Sequence, residues 1–247
     1  MSARGVSSFN VAPSSSTMNS AIQQLNNGIT GICGDLWSTM MKRSINQTDA
    51  LSAILKNQTT TVFPSTALGS RLKVASQLIA SRVARGVDRD VFFIPFDGFD
   101  THSEVTETLK NRFAELDDAL KNFVAELKLL GVWDNTAIVQ ASDFGRTMTG
   151  NSGGGTDHGW GGNYWLAGGG VKGQRIVGKY PPTFSLDNEY NIDRGRIIPT
   201  TSWDSIFNSI SLWMGITSDA DLKRVLPNRN KFLTDMFASS MLFNEKL

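Results

Sequence analysis

The sequence predicts an α/β fold with a mostly parallel sheet, and three stretches carry that prediction. Residues 91–96 read VFFIPF and residues 136–141 read TAIVQA. Short continuous apolar runs bounded by turn residues fit strands buried on both faces, as in parallel sheets. Between them, Leu109, Phe113, Leu116, Leu120, Phe123, Leu127 and Leu130 recur at alternating spacings of four and three. That stripe is one apolar helix face that packs on a sheet. Strand, helix and strand at this length make a βαβ unit, right-handed by the usual rule.

The remaining elements follow in chain order. Residues 2–18 are rich in Ser, Ala and Gly and read as loop or disorder. Residues 19–56 allow a helix, with Ile22, Leu25, Ile29, Ile32 and Leu36 at helical spacing. Gly28, Gly31 and Gly34 weaken it, at about 1 kcal/mol each against Ala. Residues 49–55 form the more helical part, and TTTVFPST is an extended linker stopped by Pro64. Residues 68–85 read as a helix with Leu72, Val74, Ala75, Leu78, Ile79 and Val83 on one face and Gly86 as its stop. Pro95 ends the first strand's ladder. Thr101 and Glu104 have capping-box spacing for the next helix, which Gly131 terminates. Of the 23 glycines, 13 fall between Gly145 and Gly178, a density that favours irregular backbone and close approach. NYWLAGGG and QRIVGKY are expected as short strands, and residues 181–201 as a loop or hairpin excursion. Ser202 starts a helix with Trp203, Ile206, Phe207, Ile210 and Trp213 inward. Ser218 starts a shorter one that ends before Pro227. The tail from Lys231 carries Phe232, Met236, Phe237 and Leu242, enough to dock as a last helix.

Composition narrows the function classes. The chain has 247 residues, 40% hydrophobic and 19% charged, with a net charge of +1. No basic stripe with interleaved aromatics points to nucleic acid. No apolar run approaches the ~20 residues of a membrane span, and the first residues contain no apolar core of a secretory signal. Those residues fit a frayed start or a linker; the alternative is that Met1 is not the start of the folded unit. The single cysteine, Cys33, excludes an intrachain disulfide framework and a multi-cysteine zinc site. Asn46-Gln-Thr and Asn57-Gln-Thr match the glycosylation acceptor pattern, which is common by chance.

Chemistry concentrates in three clusters between residues 97 and 158. Asp97, Asp100 and His102 follow the first expected strand. Ser142, Asp143 and Arg146 follow the second. Asp157 and His158 lie in the glycine-rich loop. In an open parallel sheet, ligands bind beyond the carboxyl ends of the strands, so the clusters are expected to form one site. His102 and His158 are the only histidines in the chain. Carboxylates plus two imidazoles suit a borderline divalent ion such as zinc, manganese or iron. Arg146 offers a planar fork for an oxyanion such as phosphate or sulfate. Plain alternatives stand beside this: DGFD as a turn with helix-capping aspartates, Asp143 paired with Arg146 as a structural bridge, and His158 as an ordinary loop residue.

GFDTH, SDFGRT, GGTDHGWGGNYW-x-x-GGGVKG, the following YP, GRIIPTTSWD and LPN-x-x-x-F together resemble the domain of unknown function 1501 family. The resemblance runs from about Leu68 to Phe232. It implies membership of the alkaline phosphatase and sulfatase superfamily, and with it a three-layer α/β/α sandwich. It also implies a two-metal site serving a hydrolase. By motif, one ion would take Asp100, His102 and His158, with Asp97 and Asp157 as reserves. The other ion would take Asp143, but Phe144 stands where the superfamily places a histidine. Longer family members carry an N-terminal strand with a metal-binding Asp and a Ser or Thr nucleophile. No such strand is recognisable before Val91, so the chain resembles the C-terminal portion of the domain. Residues 1–66 are then an N-terminal helical and loop segment, and 67–247 the C-terminal part of an alkaline phosphatase-like domain. The missing element would be supplied by a complementing N-terminal segment. Longer relatives are often exported. Ser142 and Thr147 flank the site without a motif that assigns either to attack. Two functions remain. One is zinc- or manganese-dependent hydrolysis of a phosphate or sulfate ester, with such an ester or another anionic ligand as the small-molecule partner. The other is a non-catalytic module that keeps an oxyanion- or metal-binding pocket.

Overall fold

The computed structural model describes Ser20 and residues 32–244. The loop expected over residues 2–18, and Ile22, Leu25 and Ile29 of the first expected helix, lie outside them. The described elements are α1 (Ile32–Leu55), α2 (Ala67–Ala80), α3 (Val105–Leu129), β1 (Ile138–Val139), β2 (Gly145–Gly150), β3 (Thr156–Gly159), β4 (Leu166–Ala167), α4 (Trp203–Trp213), α5 (Asp219–Val225) and α6 (Ser239–Leu242). Short 3-10 turns occupy Trp133–Asn135, Arg229–Lys231 and Leu233–Asp235.

The three-layer sandwich with a parallel sheet is not what forms. The described strands make two small sheets: β1 with β4, and β2 with β3, both antiparallel. Residues 91–96 belong to neither sheet. Val91 is 86% and Phe93 92% exposed, while Phe92 and Ile94 are half-buried. A continuous apolar run implies cover on both faces, yet one face of this run is open. A parallel strand also needs a ladder neighbour, and no described strand is paired with these residues. TAIVQA contracts to β1, whose partner β4 comes from NYWLAGGG, so that strand forms but in the antiparallel sense. QRIVGKY is irregular. Residues after the second expected strand form β2, and Asp157 and His158, expected in a glycine-rich loop, lie on β3.

The chain forms two compact units. One comprises residues up to Ile94 together with Asp118–Glu126; the other comprises Pro95–Asp117 and Leu127 onward. In the first, α2 starts where Thr66 accepts a hydrogen bond from the Gly69 backbone N–H, the usual N-cap device. Leu68, Leu72, Ala75 and Leu78 of α2, with Ala119 and Phe123 of α3, are buried. Gln77 is buried as well and donates to the carbonyls of Leu55 and Asn57, which fixes the chain leaving α1. The expected α2 span of 68–85 ends early, because residues 81–86 close into hydrogen-bonded turns finishing at Gly86, φ +62°.

In the second unit, Leu127, Val132, Leu222, Leu226, Leu242 and Phe243 are buried. Trp213 at the end of α4 stacks on Phe243, centroids 4.7 Å apart. Ser202 caps α4 through the Ser205 N–H, and Ser218 caps α5 through the Asp221 N–H. Asn208 and Ser209, both buried, donate to the carbonyls of Phe237 and Ala238 and so dock the tail. Among the described residues, the tail forms the 3-10 turn Leu233–Asp235 and the single turn α6, not a full helix. The capping box at Thr101 and Glu104 does not form. Helix α3 begins at Val105, and Glu104 sits in the left-handed region at φ +46°. Thr101 is buried, its carbonyl accepting from Thr156, and Ser103 bridges to Gly154. Pairing with the glycine-rich loop thus replaces capping, and that pairing builds the site.

Candidate metal centre

Residues 96–102 reach the site through a turn. Gly98, φ +99°, lets DGFD bend. Phe96 and Phe99 then pack edge to face at 5.3 Å, and Phe99 lies 5.9 Å from Phe113 of α3. This anchoring delivers Asp100 and His102. The hairpin β2–β3 delivers the rest. Arg146 and His158 are direct cross-strand partners, so their side chains leave the same face of the ladder. Phe144 stacks on the His158 ring at 4.1 Å and 12°, and the Arg146 guanidinium lies 5.7 Å from the Phe144 ring.

Three side chains converge. Asp100 Oδ1 lies 3.0 Å from His102 Nε2 and 2.9 Å from His158 Nε2. The two Nε2 atoms are 3.2 Å apart. Among the described residues, Asp100, His102 and His158 are the group of acidic, histidine and cysteine side chains gathered tightly enough to share an ion. All three side chains are about half exposed. Arg146 Nη1 donates to the same Asp100 Oδ1 at 2.5 Å, its Nε donates to Thr156 Oγ1 at 2.9 Å, and its Nη2 donates to the Thr156 carbonyl. Burial is the largest single influence on the Asp100 carboxyl and pushes its pKa up. Hydrogen bonds from Arg146 and His158 and the charges of both imidazoles outweigh it, so the group titrates below its ordinary value. It is an anion at neutral pH, as a metal ligand must be.

Not every expected residue joins. Asp97 and Asp143 are exposed and outside the group. The Asp143 charge instead faces Tyr164, whose pKa is raised by burial first and by that charge second. Among the described residues, the ion pair of Arg146 is with Asp100, not Asp143. Asp157 sits on the far side of His102, its Oδ1 3.4 Å from Nδ1. Ser142 donates to the Phe144 carbonyl at 3.0 Å and Thr147 to the Thr149 carbonyl at 2.9 Å. Sequence reasoning passed over Asn151, Thr156 and Arg194. Asn151 accepts from the N–H groups of Gly153 and Gly155 and donates to the His102 carbonyl. Asn ahead of a glycine run is a turn-forming signal, and it was available. Arg194 donates to Asp157 Oδ2 at 2.6 Å across 37 residues, and no local pattern announces that.

The donor set suits a metal. Tetrahedral coordination with bonds near 2.0 Å spaces ligand atoms about 3.3 Å apart. The observed edges of 2.9, 3.0 and 3.2 Å match that spacing without a large rearrangement. Half-exposure of the three side chains leaves the triangle reachable from solvent.

A family profile described as "Protein of unknown function (DUF1501)" matches residues 9–195, and the chain belongs to that family. The match starts well before Leu68 and takes in every residue of the triangle, but stops short of the SWD and LPN motifs. Comparison with curated proteins and with solved structures returns no match.

Proposed function

We propose that the chain holds a divalent metal ion, zinc or manganese, on Asp100, His102 and His158, and that this ion serves hydrolysis of a phosphate or sulfate ester. The triangle of one carboxylate oxygen and two Nε2 atoms at 2.9–3.2 Å is the observation that carries the reading. When bound, such an ion supplies Lewis-acid polarisation of a phosphoryl or sulfuryl oxygen. The ester class comes from the motif resemblance to the alkaline phosphatase and sulfatase superfamily. Arg146 holds Asp100 in place and keeps it ionised. Its three nitrogens all face protein acceptors, so binding an oxyanion there requires it to exchange one of those partners.

A second reading is a metal-binding module without catalysis. The hydroxyls of Ser142 and Thr147 favour it, because both donate to main-chain carbonyls instead of facing the triangle. An activated hydroxyl beside a metal is the usual nucleophile of such chemistry. Titration calorimetry with zinc and manganese, beside release of nitrophenol from nitrophenyl phosphate and sulfate, separates the readings. Binding is expected for the wild type and not for the His102→Ala/His158→Ala double variant. Equal affinity in the double variant would place the ion elsewhere and sink the proposal. Binding with no metal-dependent turnover selects the module; turnover that disappears in His102→Ala selects the hydrolase.

A further inference from the structure

His102 uses both ring nitrogens. Nε2 faces the triangle, while Nδ1 lies 3.4 Å from Asp157 Oδ1. The two nitrogens of an imidazole point along diverging lines, so a carboxylate at Nδ1 is badly placed to share an ion held at Nε2. Asp157 is held from two further directions. Asn151 Nδ2 donates to Oδ1 at 3.2 Å, and Arg194 Nη2 donates to Oδ2 at 2.6 Å. Its own N–H donates to Thr147 Oγ1 at 3.0 Å. Asn151 also donates to the His102 carbonyl at 3.0 Å, so one amide ties together the backbone of His102 and the carboxylate behind its ring. Adjacent residues of a strand project to opposite faces. The consecutive pair Asp157-His158 on β3 therefore sends one group behind His102 and the other into the triangle.

Arg194 reaches Asp157 from an unusual backbone. Its φ is +51°, in the left-handed region that non-glycine residues rarely adopt. The following Gly195, φ +78°, donates to Asn191 Oδ1 and gives its carbonyl to the Met148 N–H of β2. A side chain larger than hydrogen held at positive φ points to a role for that side chain. Here the guanidinium ends on the carboxylate behind His102. The pair is half exposed on the Arg194 side, so as a plain surface bridge it contributes little stability.

We propose that Asp157, clamped by Arg194 and Asn151, is a positioning residue: it holds His102 as the Nδ1–H tautomer and aims the Nε2 lone pair at the metal. The inference rests on the metal-binding reading above. Carboxylate partners behind metal-bound histidines are worth about ten- to a hundredfold in affinity. The experiment measures zinc affinity by competition with a chromogenic chelator, and the visible spectrum of bound cobalt, for wild type, Asp157→Asn and Arg194→Gly. Arg194→Gly removes the guanidinium while giving the positive φ to the residue that adopts it most readily. It is expected to melt no lower than wild type, so an affinity loss cannot be ascribed to unfolding. Expected results are zinc affinity lower by about ten- to a hundredfold in Asp157→Asn, and by severalfold in Arg194→Gly. The cobalt bands are expected to shift in both. No zinc binding by the wild type overturns the metal reading itself. Wild-type binding with both variants within twofold and unshifted cobalt bands overturns the positioning role alone. If Asp157→Asn does not fold, the Arg194→Gly affinity and spectrum decide.

Discussion

Glu126 is 3% exposed and accepts three hydrogen bonds, from the N–H groups of Thr60 and Thr61 and from the Thr61 hydroxyl. Burial acts most strongly on its carboxyl and raises the pKa. The three donors outweigh burial, and the group titrates below the ordinary value of 4.5. A depressed carboxyl pKa contributes stability that is fully present above 4.5 and fades as pH falls through the folded-state value. Gln at this position keeps one acceptor oxygen but turns an N–H₂ toward the threonine donors. Glu126→Gln is therefore expected to cost about 2–3 kcal/mol at neutral pH, the range for charged hydrogen bonds lost in a buried place. The difference between variant and wild type should shrink as the pH falls below 4.5 and through the lower folded-state value. Urea unfolding followed by circular dichroism at several pH values checks this; a difference that stays constant down to low pH would mean the carboxylate charge is irrelevant.

Hairpin β2–β3 and the turn 98–102 do what the expected parallel sheet was to do, bringing residues distant in sequence to one place. Apolar spacing located α3, and Leu127 and Phe123 of its stripe are buried. Phe113 of the same stripe is 54% exposed, however, and Val83, expected on the α2 face, is 83% exposed. The helices were thus legible in part. The strands were not. A run such as VFFIPF states its hydrophobicity but not its partner, and pairing sense and register depend on residues far along the chain. The triangle was legible for a chemical reason: only two histidines exist, and both stand beside aspartates. Asp143 was misplaced because its position after TAIVQA mattered only if that segment ran parallel to residues 91–96. Arg194 was invisible because its reach depends on one left-handed residue in a turn. The close approach of the glycine-rich loop was anticipated from glycine density, and Gly155 shows its cost. A Cβ there would stand 2.2 Å from the His102 carbonyl carbon and 2.4 Å from the Ser103 nitrogen. Gly155→Ala is expected to destabilise by about 1–3 kcal/mol and to weaken zinc binding by pushing the loop from His102. Gly173→Ala, where a Cβ meets nothing within 4 Å, is the comparison. Melting curves and zinc titration of the two variants read the outcome, and matching behaviour would show that the loop yields freely.

The chain as a physical object has a net charge of only +1, so long-range repulsion does little to keep copies apart. Among the described residues no helix is long and apolar enough to cross a membrane, and the exposed apolar residues meet water or another surface. The open face of residues 91–96 is the sharpest case, with Val91 86% and Phe93 92% exposed. The apolar run of residues 91–96, which joins neither described sheet, resembles in composition a segment that stacks with its own kind. Pro95 interrupts it, having no N–H to give to a neighbouring copy, and Asp90 and Asp97 flank it with charge. Residues of these kinds beside an apolar run are expected to slow strand-to-strand stacking. Pro95→Thr restores the missing donor and should shorten the lag of thioflavin-positive aggregation relative to wild type at equal concentration. An unchanged lag would show that another segment nucleates. A shortened lag would mean that residues 90–97 set how long the chain stays dispersed as well as how it folds.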